Sequence, residues 1–195
     1  MVKDRLEAYA KDLAARMMRS DFDTLAKFAE LLLETKRRGG TVFLAGNGGS
    51  AATASHVTND LLKGCRRGDE PGFRAICLND SSTLLTCLAN DYAYEDVYAI
   101  LLETYAKKDD VLVLFSGSGN SPNVVKAAEK ARQMSVRVVG FGGRDGGRMK
   151  PLCDLAVIAP TDSMEMLEDF HLVYFHDLAC TLQEELGCRA ACPGH

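Results

Sequence analysis

Up to Arg38 the apolar positions recur every three or four residues, and from Thr41 onward short unbroken apolar runs alternate with amphipathic stretches. The first pattern belongs to helices, the second to strands buried on both faces and separated by helices. Residues 1–19 read as one amphipathic helix. Residues 21–38 read as a second, with Asp21 or Asp23 as cap, Leu25, Phe28, Leu31 and Leu32 at helical spacing, and Lys36-Arg37-Arg38 before a Gly39-Gly40 stop. Strands are expected at 41–45, 74–78, 110–115, 137–141 and 155–159. Helices are expected at 50–63 (stopped by Gly64), at 81–89, at 94–106, from Pro122 to about Met134, and at 163–186. Such alternation predicts an α/β fold with one mostly parallel sheet covered on both faces. No linker, low-complexity segment or strict repeat divides the chain. The units at 41–63 and 111–134 nevertheless share a form: apolar strand, Gly/Ser/Asn turn, helix opening with Ser.

Composition changes this picture little. With 195 residues, 47% hydrophobic and 26% charged, the chain suits a single domain with a self-supporting core. Twenty-three basic against 27 acidic residues leave a net charge of −4. That balance argues against nucleic-acid and membrane-surface partners, which are bound through clustered positive charge. No run is apolar enough to span a bilayer, and the charged N-terminus lacks the core of a signal peptide. Seven cysteines are scattered, and Cys77, Cys153 and Cys180 lie in apolar runs, which reads as a reduced, cytoplasmic protein. Cys188, Cys192 and His195 could form a metal clip; a frayed terminal tail is the preferred reading.

Candidate chemistry begins at the two turns, Gly46-Asn-Gly-Gly-Ser50 and Ser116-Gly-Ser-Gly-Asn-Ser121, each of which feeds a helix N-terminus. Free N–H groups, the positive end of the helix dipole, small hydroxyls, and glycines such as Gly48 and Gly49 that let the backbone come close all suit a phosphate. Neither turn has the spacing of a nucleotide fingerprint, so the phosphate belongs to a small molecule. His56 and Asp60, four apart on one helix face, can ligate zinc, act as an acid/base pair, or simply share a surface hydrogen bond. The last helix carries Glu165, Glu168, Asp169, His171 and His176. One-turn spacing pairs Glu168 with His171; His176 stands about 12 Å farther along and roughly 80° around. A solvated acidic helix start is the plain alternative for Glu165, Glu168 and Asp169. Asp91 either contacts sugar hydroxyls or caps a helix.

Gly46-Asn-Gly-Gly-Ser-Ala51, Ala54-Ser-His56, Ala89-Asn-Asp91, Ser116-Gly-Ser-Gly-Asn-Ser121, Asp145-Gly-Gly147 and the last helix with Glu168 and His176 together resemble the sugar isomerase (SIS) domain. Within it they are similar to the bacterial phosphoheptose isomerases, and the resemblance runs in order along nearly the whole chain. It implies a three-layer α/β/α sandwich with a five-stranded parallel sheet. Residues 1–38 would form a helical extension, 39–187 the core and 188–195 a tail. It implies a homotetramer with active sites at subunit interfaces and an enediol conversion of D-sedoheptulose 7-phosphate to D-glycero-D-manno-heptose 7-phosphate. Ser116, Gly117, Ser118 and Ser121 would bind the phosphate; Asn47, Gly48, Gly49, Ser50, Asp91 and Glu168 would line the sugar. His56, Asp60, Glu168 and His176 would hold zinc, with Asp60 and His176 as the acid/base groups.

The chain departs from the family pattern at four positions. It has Asp for the usual Glu at 60, Glu for the usual Gln at 168, Gly64 where a basic residue is expected (Lys63 or Arg66 could replace it), and Gly117 within the serine turn. These motivate two further readings: isomerisation of another sugar phosphate, and a non-catalytic SIS protein that binds a sugar phosphate or a protein. The presence of His56, a carboxylate at 60, and His176 favours an enzyme.

Overall fold

The computed structural model of the protein describes residues 1–188. Two helices, α1 (Val2–Met17) and α2 (Phe22–Arg37), precede β1 (Thr41–Gly46). Helix α3 (Gly49–Asn59) runs directly into one π-helical turn (Asp60–Gly64), followed by β2 (Arg74–Cys77) and α4 (Ser82–Asp91). A short 3₁₀ turn (Tyr94–Asp96) leads to α5 (Val97–Tyr105), β3 (Val111–Ser116), α6 (Pro122–Gln133) and β4 (Arg137–Gly143). A second 3₁₀ turn (Lys150–Leu152), β5 (Leu155–Ala159) and α7 (Met164–Glu185) complete the described chain. Asp21 is the residue that caps α2, accepting from the Thr24 N–H at 3.0 Å.

The five strands form one parallel sheet in the order β2-β1-β3-β4-β5. Because strand side chains alternate, the apolar runs serve two cores at once. Val42, Leu44, Val113, Phe115, Val139 and Phe141 face α2, α3 and α7, whereas Phe43, Ala45, Leu112, Leu114 and Val138 face α5 and α6. This is the three-layer sandwich the resemblance implied. Its first core is knitted by rings: Phe28 lies 5.6 Å from Phe141 and 5.7 Å from Phe175, centroid to centroid, and Phe115 stacks on Phe141 at 5.2 Å. Each such buried ring stabilises the fold by roughly 1.5–3 kcal/mol.

Helix α1 contributes no fully buried residue. Leu13 and Met17 rest against the first core, Tyr9 donates to the Asp169 carboxylate on α7, and Arg16 donates to the Pro160 carbonyl at 3.0 Å. Cys65, Cys77, Cys87, Cys153 and Cys188 are thiols outside any disulfide. Burial pushes the Cys65, Cys77 and Cys153 thiols up to about 12, so they act as small apolar side chains. Cys192 and His195 lie outside the described residues. Among the described residues no helix is long and apolar enough to cross a membrane.

His171 is wholly buried, which removes the pairing with Glu168 that one-turn spacing suggested. Its ring sits 5.9 Å from both Phe115 and Phe141, and its Nε2 lies 3.3 Å from the Gly142 carbonyl, to which it donates. Its Nδ1 has no hydrogen-bond partner among the described residues. Burial pulls the imidazole down to about 4, so it is neutral in the fold. The unfolded chain takes up the proton first, near pH 6.5. Stability from this residue is therefore complete above about pH 6.5 and falls toward pH 4, by up to about 3 kcal/mol. Urea midpoints should drop as pH falls from 6.5 to 5, and His171→Leu should flatten that drop; an unchanged slope would contradict the assignment.

Candidate active site

From β1 the chain goes to β2 on one side, while β3 lies on the other. Helices α3 and α6 accordingly leave the adjacent carboxyl ends of β1 and β3 toward opposite faces of the sheet. Ligands of open α/β sheets bind in the crevice at such a switch point. Here it is a cleft of about 200 Å³. Asn47 and Ser50 line it from the first turn, and Ser116, Gly117, Ser118 and Ser121 from the second. Phe115, Met164 and Glu168 complete the lining. The N-termini of α3 and α6 both rise from these turns, and serine hydroxyls stand beside them. Donors and two helix dipoles thus converge where an anion would sit.

Two glycines make the turns possible. Gly48 has φ +56° and Gly119 φ +64°, the left-handed region that side chains avoid. The second turn is held from behind by residues 143–149: Gly143 N–H donates to the Gly117 carbonyl at 3.2 Å and Met149 N–H to the Gly119 carbonyl at 2.9 Å. Arg148 N–H donates to the Asn120 side chain at 3.1 Å. The Asp145-Gly-Gly147 segment is therefore a brace for the serine turn. A Cβ on Gly119 would run into the Gly146 carbonyl.

Asn47 is held by side chains that sequence reasoning did not single out. Its Oδ1 accepts from Tyr94 at 2.9 Å, from Tyr98 at 3.3 Å and from Asn123 Nδ2 at 2.9 Å, and its Nδ2 donates to Asn123 Oδ1 at 2.9 Å. The only local signal was Asn123 following the helix-opening Pro122; nothing nearby in sequence marks the two tyrosines. Asp91, expected to contact sugar hydroxyls or cap a helix, is the last residue of α4. It is exposed, accepts from Asn90 Nδ2 at 2.9 Å, and does not line the cleft.

A second cluster lies farther along the groove between α3 and α7. His56 Nε2 is 2.9 Å from His176 Nε2, and Asp60 Oδ2 is 3.4 Å from the first and 3.8 Å from the second. A tetrahedral ion with ligand bonds of about 2.1 Å has donor–donor edges near 3.4 Å, so these three atoms fit the face of such a site. All three side chains are partly exposed. Asp60 opens the π-helical turn where an uninterrupted α-helix to residue 63 was expected. π-Turns commonly mark functional positions, because they re-aim a side chain relative to the helix before it.

Glu168, the fourth expected ligand, is not in this cluster. Its carboxylate lies over Gly49, where a Cβ would overlap it, and it borders the cleft. At position 64 a Cβ would come within 2.8 Å of the Gln183 amide on α7, the movable end of a flexible side chain, so space does not require the glycine. Lys63 and Arg66, the proposed replacements, are exposed and line neither the cleft nor the cluster.

Residues 6–143 match the SIS domain family. A phosphoheptose isomerase of Helicobacter pylori is 39% identical over 168 residues, covering 86% of this chain and 87% of that protein. The phosphoheptose isomerase of Chlorobaculum parvum is 37% identical over 181 residues, covering 92% and 87%. A solved phosphoheptose isomerase structure from Neisseria gonorrhoeae aligns with a TM-score of 0.87 at 25% identity, covering 94% of this chain and 100% of that one.

Gly119→Ala should lower stability by about 2 kcal/mol or more, from left-handed strain plus the clash, and weaken binding of inorganic phosphate. Thermal melts with and without phosphate check this; a wild-type melt with full phosphate protection would contradict it.

Proposed function

The chain belongs to the SIS domain family and to its phosphoheptose isomerases, and from that premise we propose that it isomerises D-sedoheptulose 7-phosphate to D-glycero-D-manno-heptose 7-phosphate. The observation that carries this reading is one groove with an anion cleft at one end and a His/Asp/His cluster farther along. Glu168 beside the cleft and His176 in the cluster are eight residues apart on α7, about 12 Å of helix. An extended seven-carbon chain spans roughly 8 Å between its end carbons, before the phosphate is added. A sugar anchored by its phosphate at Ser116, Ser118 and Ser121 would therefore bring its first two carbons toward the cluster.

The reaction moves a proton between C1 and C2 through an enediol. It needs a base, an acid, and stabilisation of the charge that develops on oxygen. Asp60 has an oxygen for the purpose: Oδ2 faces the two histidines, whereas Oδ1 accepts from Asn59 Nδ2 at 3.4 Å, its one hydrogen bond among the described residues. In this reading Asp60 takes the proton and His176 shares in its return. Remote binding of the phosphate orients the sugar, so that energy from the non-reacting end supports the chemical step.

His56, Asp60 and His176 would hold zinc, and their number is that of a catalytic site with an open position. When bound, zinc would polarise the carbonyl and hydroxyl oxygens as a Lewis acid. Glu168 would contact the sugar from the cleft. A homotetramer is proposed as the working form: Val2 and Leu6, four apart on one face of α1, expose 75% and 69% of their surface, apolar area for other subunits to cover. Neighbouring subunits would also complete the site, with Asp91 reaching the sugar across an interface. The thiols of Cys65, Cys77, Cys87, Cys153 and Cys188 suit a reducing compartment, the cytoplasm.

The test is formation of heptose phosphate from sedoheptulose 7-phosphate, followed by NMR with zinc-replete and chelator-treated protein. Turnover in the zinc-replete sample, reduced at least tenfold by chelation, is expected. Zinc-replete protein that leaves the heptulose unchanged would overturn the reading.

A further inference from the structure

Asn47 belongs to the cleft, yet most of its hydrogen-bonding capacity is spent inside the protein. The orientation of its amide follows from the backbone. At the first turn of α6 the Val124 N–H is shared between the Ser121 carbonyl at 3.0 Å and Asn123 Oδ1 at 3.0 Å, and an NH₂ in place of that Oδ1 would face a donor. The same oxygen accepts from Asn47 Nδ2 at 2.9 Å, and Asn123 Nδ2 returns a bond to Asn47 Oδ1 at 2.9 Å. Flipping either amide alone would set donor against donor; flipping both would set the Asn123 NH₂ against the Val124 N–H. The tyrosines complete the closure. Tyr94 donates to Asn47 Oδ1, and Tyr98 divides its proton between that atom and the Gly46 carbonyl. Burial pushes the Tyr98 phenol up, so it remains a donor. Three donors exceed the two lone pairs of an amide oxygen. Asn123 itself is 2% exposed.

We propose that Asn123 is a positioning residue that locks Asn47, so that Asn47 offers the cleft a single N–H donor and no acceptor. The amide pair also ties the first turn to the start of α6, linking the two halves of the anion cleft. Asn47 would then donate to an oxygen of the bound sugar phosphate and so orient the sugar, whose first two carbons react at the cluster. It could not accept from a hydroxyl. The catalytic part of this assignment rests on the isomerase reading; the locking of the amide does not.

Two measurements separate them. The first needs no turnover. In ¹H–¹⁵N spectra of the full chain, one Asn47 side-chain proton should exchange slowly in the wild type, and Asn123→Ala should bring it to the rate of an exposed amide. Fast exchange in the wild type, or slow exchange kept in Asn123→Ala, overturns the lock. The second is a kinetic cycle with sedoheptulose 7-phosphate. Asn123→Ala alone should lower kcat 10- to 100-fold, while competitive inhibition by inorganic phosphate changes less than threefold. In an Asn47→Ala background the same change should lower kcat less than threefold. Equal losses in both backgrounds would make Asn123 merely structural, as would an effect confined to phosphate affinity. If the wild type turns over no heptulose, the catalytic part of the assignment fails with the isomerase reading, and exchange alone decides the lock.

Discussion

Between β1 and β3 the chain leaves the sheet in opposite directions, α3 toward the face shared with α2 and α7, α6 toward the face shared with α5. Two helix N-termini are left side by side with a gap between them. The glycines at 48 and 119 take left-handed backbone so that the turns can close around that gap. Serines and amide groups then line it without filling it. The cleft here follows from sheet order, and everything else in the groove is placed relative to it.

Helices α3 and α7 carry the candidate site on from that point. Their early residues, Gly49 and Glu168, meet beside the cleft, and their later ones, His56, Asp60 and His176, meet in the cluster. The two helices thus run the same way along the groove. The π-turn at Asp60–Gly64 lets a carboxylate at the end of α3 face two imidazoles at once. On α7 the two histidines have opposite fates. His171 is wholly buried between Phe115 and Phe141, neutral through loss of solvent, whereas His176 is partly exposed and faces its partners.

Most of the fold was legible because its signals are local or periodic. Unbroken apolar runs marked all five strands to within a residue or two at each end, and capping residues and glycines marked the helices. The two turns were legible as well, since composition and position before a helix carry their meaning. What escaped were properties set by tertiary packing. One-turn spacing pairs Glu168 with His171, but which face of α7 is buried decides the matter, and burial takes His171. A helix ending at Gly64 hides the π-turn, because the same residues satisfy both spacings. Tyr94, Tyr98 and Asn123 meet Asn47 from 47 to 76 residues away, across elements that no local pattern connects. The brace behind the serine turn needs Gly119 against Gly146, again a long-range contact.

The central claim is that one end of the groove binds and the other end reacts. It is tested most directly by His176→Ala, with calorimetric affinity for sedoheptulose 7-phosphate measured beside turnover. The account predicts affinity within about threefold of wild type and a kcat at least ~100-fold lower, as expected for loss of an acid/base group. A kcat within a few-fold of wild type, or a loss confined to affinity, would contradict it.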